Sequence, residues 1–87
     1  LTPERAVEIQ QDLGSDIAMV LDECPSLKET TPEKVRAAVV RTVRWAERCK
    51  RHHTRREQAQ FAIVQGGLDV GLRAECAKEL VAMDFDG

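Results

Sequence analysis

Aromatic side chains are scarce in this sequence: Trp45, Phe61 and Phe85 account for 3% of 87 residues. Aromatics supply the largest buried areas per residue, and the length itself lies near the lower limit at which one chain encloses a self-sufficient core. Together these favour a piece of a larger fold over a complete miniature domain. Long apolar runs are absent too, none approaching the roughly 18–20 residues that span a bilayer, so no membrane association is expected. The opening Leu1-Thr2-Pro3-Glu4 has neither an initiator Met nor the pattern of a signal peptide. It reads as the cut front of a soluble, cytoplasmic chain. Cys24, Cys49 and Cys76 are odd in number, far apart and in no Cys-x-x-Cys arrangement, which argues against a disulfide framework or a local zinc site and for a reducing compartment.

What is present is a globular balance: 43% apolar and 32% charged residues with a net charge of only −2, unlike disordered chains, which pair low hydrophobicity with large net charge. The charge is unevenly placed. Lys34 to Arg56 holds nine Lys/Arg against the single acid Glu47, a local +8, while the remainder holds four basic and fourteen acidic residues, −10. Such a block can follow a phosphate backbone, although a charged helix face is more often a solvated exterior.

Three helix signals alternate with two strand signals. Thr2-Pro3 is an N-cap with proline at the first helical position, followed by Ala6, Ile9 and Leu13 as an apolar face and Gly14 as a stop. The same Thr-Pro-Glu start recurs at Thr31, and Val35, Ala38, Val39, Thr42, Trp45, Ala46 and Cys49 then fall on one stripe of a long helix ending near His52. A third helix is expected from about Asp69 to Ala82, with Leu72, Cys76, Leu80 and Met83 in register. Between them, Ile17–Leu21 and Phe61–Val64 are short apolar runs without alternation, which suit parallel strands buried on both faces. The order helix-strand-helix-strand-helix is that of an α/β fold. Two strands complete neither a doubly wound sheet nor a barrel, so residues 1–87 read as one segment cut at both ends from a repeating βα architecture.

Active sites of βα folds form at the C-terminal ends of the strands. The first strand leads into Asp22-Glu23-Cys24-Pro25 and the second into Gln65-Gly66-Gly67. If the strands are parallel neighbours, Asp22 and Gln65 converge on one small ligand, the carboxylate offering acceptors only and the amide two donors and an acceptor. A guanine edge fits that set: N1–H and the exocyclic amine face the carboxylate, and O6 takes the amide donor. The plainer alternative is that Asp22 opens a turn and Gln65 caps a loop. Gly66-Gly67 suits close backbone approach or positive φ rather than a phosphate cradle, since no Lys-Ser/Thr follows. His52 and His53 lie at the far end of the long helix and read as exposed residues rather than metal ligands. Cys24 has no identifiable base beside it and is at most a pocket-lining thiol.

Gly14-Ser15-Asp16-Ile17-Ala18-Met19-Val20-Leu21-Asp22-Glu23-Cys24-Pro25, Arg41-Thr42-Val43-Arg44-Trp45-Ala46, and Phe61-Ala62-Ile63-Val64-Gln65-Gly66-Gly67 with Leu72-Arg73 together resemble the tRNA-guanine transglycosylases over essentially the whole chain, in order and spacing. The resemblance implies a (β/α)8 barrel, zinc in the full-length protein, and exchange of guanine in a tRNA anticodon for a 7-deazaguanine on the way to queuosine. By matching position, Asp22 and Gln65 correspond to the family's base-recognising residues, with Cys24 and Gly66 lining the base pocket. It further implies that the nucleophilic aspartate, the second catalytic aspartate, the zinc ligands (Cys-x-Cys-x-x-Cys with a later His) and a Gly-Gly-Leu loop lie outside this segment. No catalytic residue and no metal ligand is then expected within it. The expected partners are tRNA and the free base, with a homo- or heterodimer for the full-length protein. The alternative is a non-catalytic transglycosylase-like subunit or tRNA-binding module.

Overall fold

A computed structural model describes all 87 residues. Helix α1 spans Pro3–Leu13, strand β1 Ile17–Met19, helix α2 Pro32–His52, strand β2 Ala59–Phe61 and helix α3 Val70–Ala82. This is the α/β order expected, with β1 and β2 paired in parallel in the register Ile17↔Ala59, Ala18↔Gln60 and Met19↔Phe61.

The helices form where local chemistry starts and stops them. Thr2 Oγ1 accepts the Arg5 N–H at 3.1 Å, Thr31 Oγ1 that of Lys34 at 3.3 Å and Asp69 Oδ1 that of Leu72 at 3.0 Å, each satisfying a donor that the first helical turn leaves free. Gly14 ends α1 in the left-handed region at φ 71°, its N–H reaching the carbonyls of Gln10 and Gln11. The α2 stripe buries Val35, Ala38, Val39, Thr42, Ala46 and Cys49 as the periodicity indicates, with Trp45 half-buried at its margin. Helix α3 buries Leu72, Cys76 and Leu80. Val35, Val39, Ala46 and Cys49 of α2 and these three residues of α3 join Val7 and Val20 in a single core.

Three expectations are corrected. In α1 the buried residues are Pro3 and Val7, whereas Ile9 and Leu13 are exposed, because α1 meets α2 along the Pro3-Val7 side and Glu4 is tied there to Arg48 by two bonds of 2.9 and 2.5 Å. That paired guanidinium holds the Glu4 carboxyl below its ordinary range. Second, β2 begins two residues before the apolar run, at Ala59 rather than Phe61. Its central residue is the buried Gln60, whose amide donates to the Cys49 carbonyl at 3.2 Å, so a search for apolar residues passes over it. Third, the strands are not enclosed on both faces: Ala18 is buried, while Ile17 and Met19 on the other face are 49% and 40% exposed.

Both outer edges of this short sheet carry polar contacts. Beside β1, the Gln10 side chain accepts the Met19 N–H at 2.8 Å and donates to the Met19 carbonyl at 2.9 Å. Beside β2, the Asp86 N–H reaches the Gln60 carbonyl and the Ala62 N–H reaches the Gly87 carbonyl, at 3.1 and 2.9 Å.

Candidate functional site

The chain leaves β1 through Val20 and Leu21 and leaves β2 through Ala62–Val64, and Val20 extends the pairing by donating its N–H to the Phe61 carbonyl at 3.0 Å. Parallel neighbours carry their ends to the same side of the sheet. Asp22 and Gln65 therefore meet: Gln65 Nε2 donates to Asp22 Oδ2 at 2.6 Å. The sequence separation of 43 is closed by α2 and the strand pairing. Gln65 is buried and Asp22 half-buried, so the pair sits at the rim of the core. Both members of the pair named from sequence are thus adjacent, in a charge-assisted contact short enough to be strong.

Each member is held from behind by a helix. The Gln65 N–H points at Cys76 Sγ of α3, 3.4 Å away. The residue after Asp22, Glu23, has its N–H on Thr42 Oγ1 of α2 at 3.0 Å and its carboxylate paired with Arg41. Thr42 and Cys76 were not singled out as site residues from the sequence. Their one visible signal was a hydroxyl and a thiol inside otherwise apolar helical stripes.

Gly66 and Gly67 both adopt positive φ, 140° and 57°. At Gly66 a Cβ would lie 2.7 Å from the Arg73 backbone nitrogen, so this residue is where the β2 loop touches the first turn of α3. The loop is further fastened by the Asp69 N–H on the Gly66 carbonyl at 3.1 Å and Arg73 Nη1 on the Gly67 carbonyl at 3.3 Å. A cavity of ≈ 260 Å³ opens beside it, lined by Gly66, Gly67, Val35 and Leu72 among others, but by neither Asp22 nor Gln65. Cys24 is exposed in the loop after β1. His52 faces Glu8 at 3.9 Å and His53 Nε2 meets Gln58 Oε1 at 3.1 Å, beside the N-terminal end of β2 and away from Asp22 and Gln65.

A family model described as queuine tRNA-ribosyltransferase matches residues 1–87, the whole of the chain. The chain belongs to the queuine tRNA-ribosyltransferase family. Proteins of that name from Dehalococcoides mccartyi strain BAV1 and Desulforamulus reducens are each 56% identical to it, over 100% and 99% of this chain, and one from a Nostoc species is 51% identical over 100%. The chain spans 22% of the Dehalococcoides protein and 23% of each of the other two. Residues 1–87 hold no cluster of three or more His, Cys, Asp or Glu side chains that can hold a metal ion. The zinc implied by the family resemblance does not fit the residues present in this segment. Nor does any helix have the length and apolarity to cross a membrane.

Proposed function

We propose that the full-length protein exchanges guanine in tRNA for a 7-deazaguanine, and that this segment supplies the part of a (β/α)8 barrel that reads the base through Asp22 and Gln65. The observation that carries the reading is their 2.6 Å contact at adjoining parallel strand ends. In the free protein the Gln65 amide is turned to the carboxylate and gives it one of its two N–H donors. A guanine edge entering between them gives Asp22 two N–H donors and releases the Gln65 amide to donate to O6, so one internal bond is exchanged for three to the ligand. A 7-deazaguanine keeps the same edge, and this pair alone accepts both the outgoing and the incoming base. Discrimination then falls to contacts at the far side of the ring system.

The chemistry of bond cleavage needs a nucleophile that attacks the sugar carbon, and none is assigned among these residues. The tRNA, the zinc and the subunit partner would be engaged by the remainder of the protein. The test is Asp22→Ala in a full-length transglycosylase carrying this segment. Leaving guanine's donors unpaired in a desolvated site costs about 1–3 kcal/mol, roughly a 5- to 150-fold loss in apparent guanine affinity, read by incorporation of radiolabelled guanine into unmodified tRNA. Unchanged guanine dependence would remove Asp22 from base recognition.

A further inference from the structure

We infer that Thr42 is a positioning residue for the Asp22 carboxylate, an inference that rests on the base-reading role given to Asp22 above. Thr42 is 0% exposed at the middle of α2, in a stripe whose neighbours are Val, Ala and Cys. A hydroxyl there has to be satisfied, and helical threonine commonly bonds back to its own preceding turn. Here it reaches out of the helix instead: Oγ1 accepts the Glu23 N–H at 3.0 Å and donates toward the Glu23 carbonyl at 3.5 Å. The neighbouring Arg41 takes the Glu23 carboxylate. Two consecutive residues of one helix therefore grip the residue after Asp22 at three points.

The Glu23 N–H lies in the same peptide plane as the Asp22 Cα, carbon and carbonyl oxygen. Fixing that N–H fixes the plane, and Asp22 retains only the rotations on the near side of its Cα. The far side of the carboxylate is then set by Gln65, itself anchored through Cys76. Of the two grips on Glu23, the ion pair has side chains 50% and 35% exposed and is screened by water, so it contributes little. The enclosed hydroxyl is the one that water cannot replace. Thr42 touches no substrate in this arrangement and acts through the backbone of the recognition loop.

The test compares Thr42→Val, Thr42→Ser and Asp22→Ala in the full-length transglycosylase, with radiolabelled guanine and unmodified tRNA varied independently. T42V preserves shape and removes the hydroxyl. Misplacing the carboxylate raises KM for guanine roughly 10- to 100-fold with KM for tRNA unmoved, and T42S, which keeps the hydroxyl, returns it toward the wild-type value. A general loss of structure would instead move both KM values or the thermal midpoint together. If T42V does not fold, Thr42→Cys takes its place with the same two readings, since a thiol fills the space with a weaker donor and acceptor. An unaltered guanine KM in T42V or T42C, beside a defective D22A, overturns the positioning role while sparing the site. An unaltered D22A overturns the site itself.

Discussion

Glutamine carries much of the polar architecture, and the same side chain is used in two opposite ways. Gln65 is placed where its amide can change partners, whereas Gln58, 2% exposed, has every polar atom spent: Nε2 donates to the Gln10 carbonyl and to the Ser15 carbonyl and hydroxyl within 3.0 Å, and Oε1 meets His53. No buried side-chain nitrogen or oxygen is left without a partner. Gln58→Leu would keep the volume but strand the Ser15 carbonyl and leave the Gln10 carbonyl with the Gly14 N–H alone, so a loss of about 1–3 kcal/mol is expected, measured as a lowered denaturation midpoint of the full-length protein. Guanine exchange per folded molecule should be unaltered, because Gln58 lies at the opposite end of β2 from Gln65. Sequence reasoning read Asp22 and Gln65 correctly as neighbours because strand ends of a parallel pair have only one place to go. It was silent on Gln58 and Gln60, since a polar residue reveals its burial only through partners that are remote in sequence.

Among the elements, the helices were legible in extent, whereas the strands were legible in number, order and parallel pairing but not in their bounds. Thr2, Thr31 and Asp69 announce their caps in one residue each, and the α2 stripe repeats over 21 residues, long enough for a period to be counted. Strands of three residues offer no period, and β2 is set by pairing Gln60 with Ala18 rather than by its own composition. The α1 face was misjudged for a related reason: Val7 and Pro3 are chosen by α2, through the Glu4–Arg48 link, and not by the spacing of Ile9 and Leu13. The loop from β2 to α3 carries an element-scale prediction. Gly66→Ala combines φ 140° with a Cβ 2.7 Å from backbone nitrogen of α3, so α3 must withdraw or the loop must turn, at a cost of about 1–3 kcal/mol. Both the thermal midpoint of the full-length protein and its guanine dependence should worsen, since Gln65 is the adjoining residue.

At the scale of the whole molecule, the structure is a slab of 37 × 25 × 17 Å, one helix layer on one pair of strands. Part of its basic segment meets acids from other elements, Arg36 with Glu75, Arg41 with Glu23 and Arg48 with Glu4, while Lys50 donates to the Asp84 backbone carbonyl and lies over the Phe85 ring. The sheet face bearing Ile17 and Met19 is uncovered, and a two-stranded sheet with one covered face is marginal alone. Residues 1–87 in isolation should therefore show no cooperative melt and no guanine exchange. The three thiols supply the readout. Cys24 is exposed while Cys49 and Cys76 are enclosed, and burial pushes the Cys49 thiol up, away from its reactive form. A thiol reagent thus distinguishes one fast equivalent and two slow ones from three fast equivalents: three mark a sector that borrows its rigidity from the rest of the protein, and two that stay slow would mean the slab closes on its own and the prediction fails. The unequal burial of three cysteines makes the chain a chemical clock of its own opening.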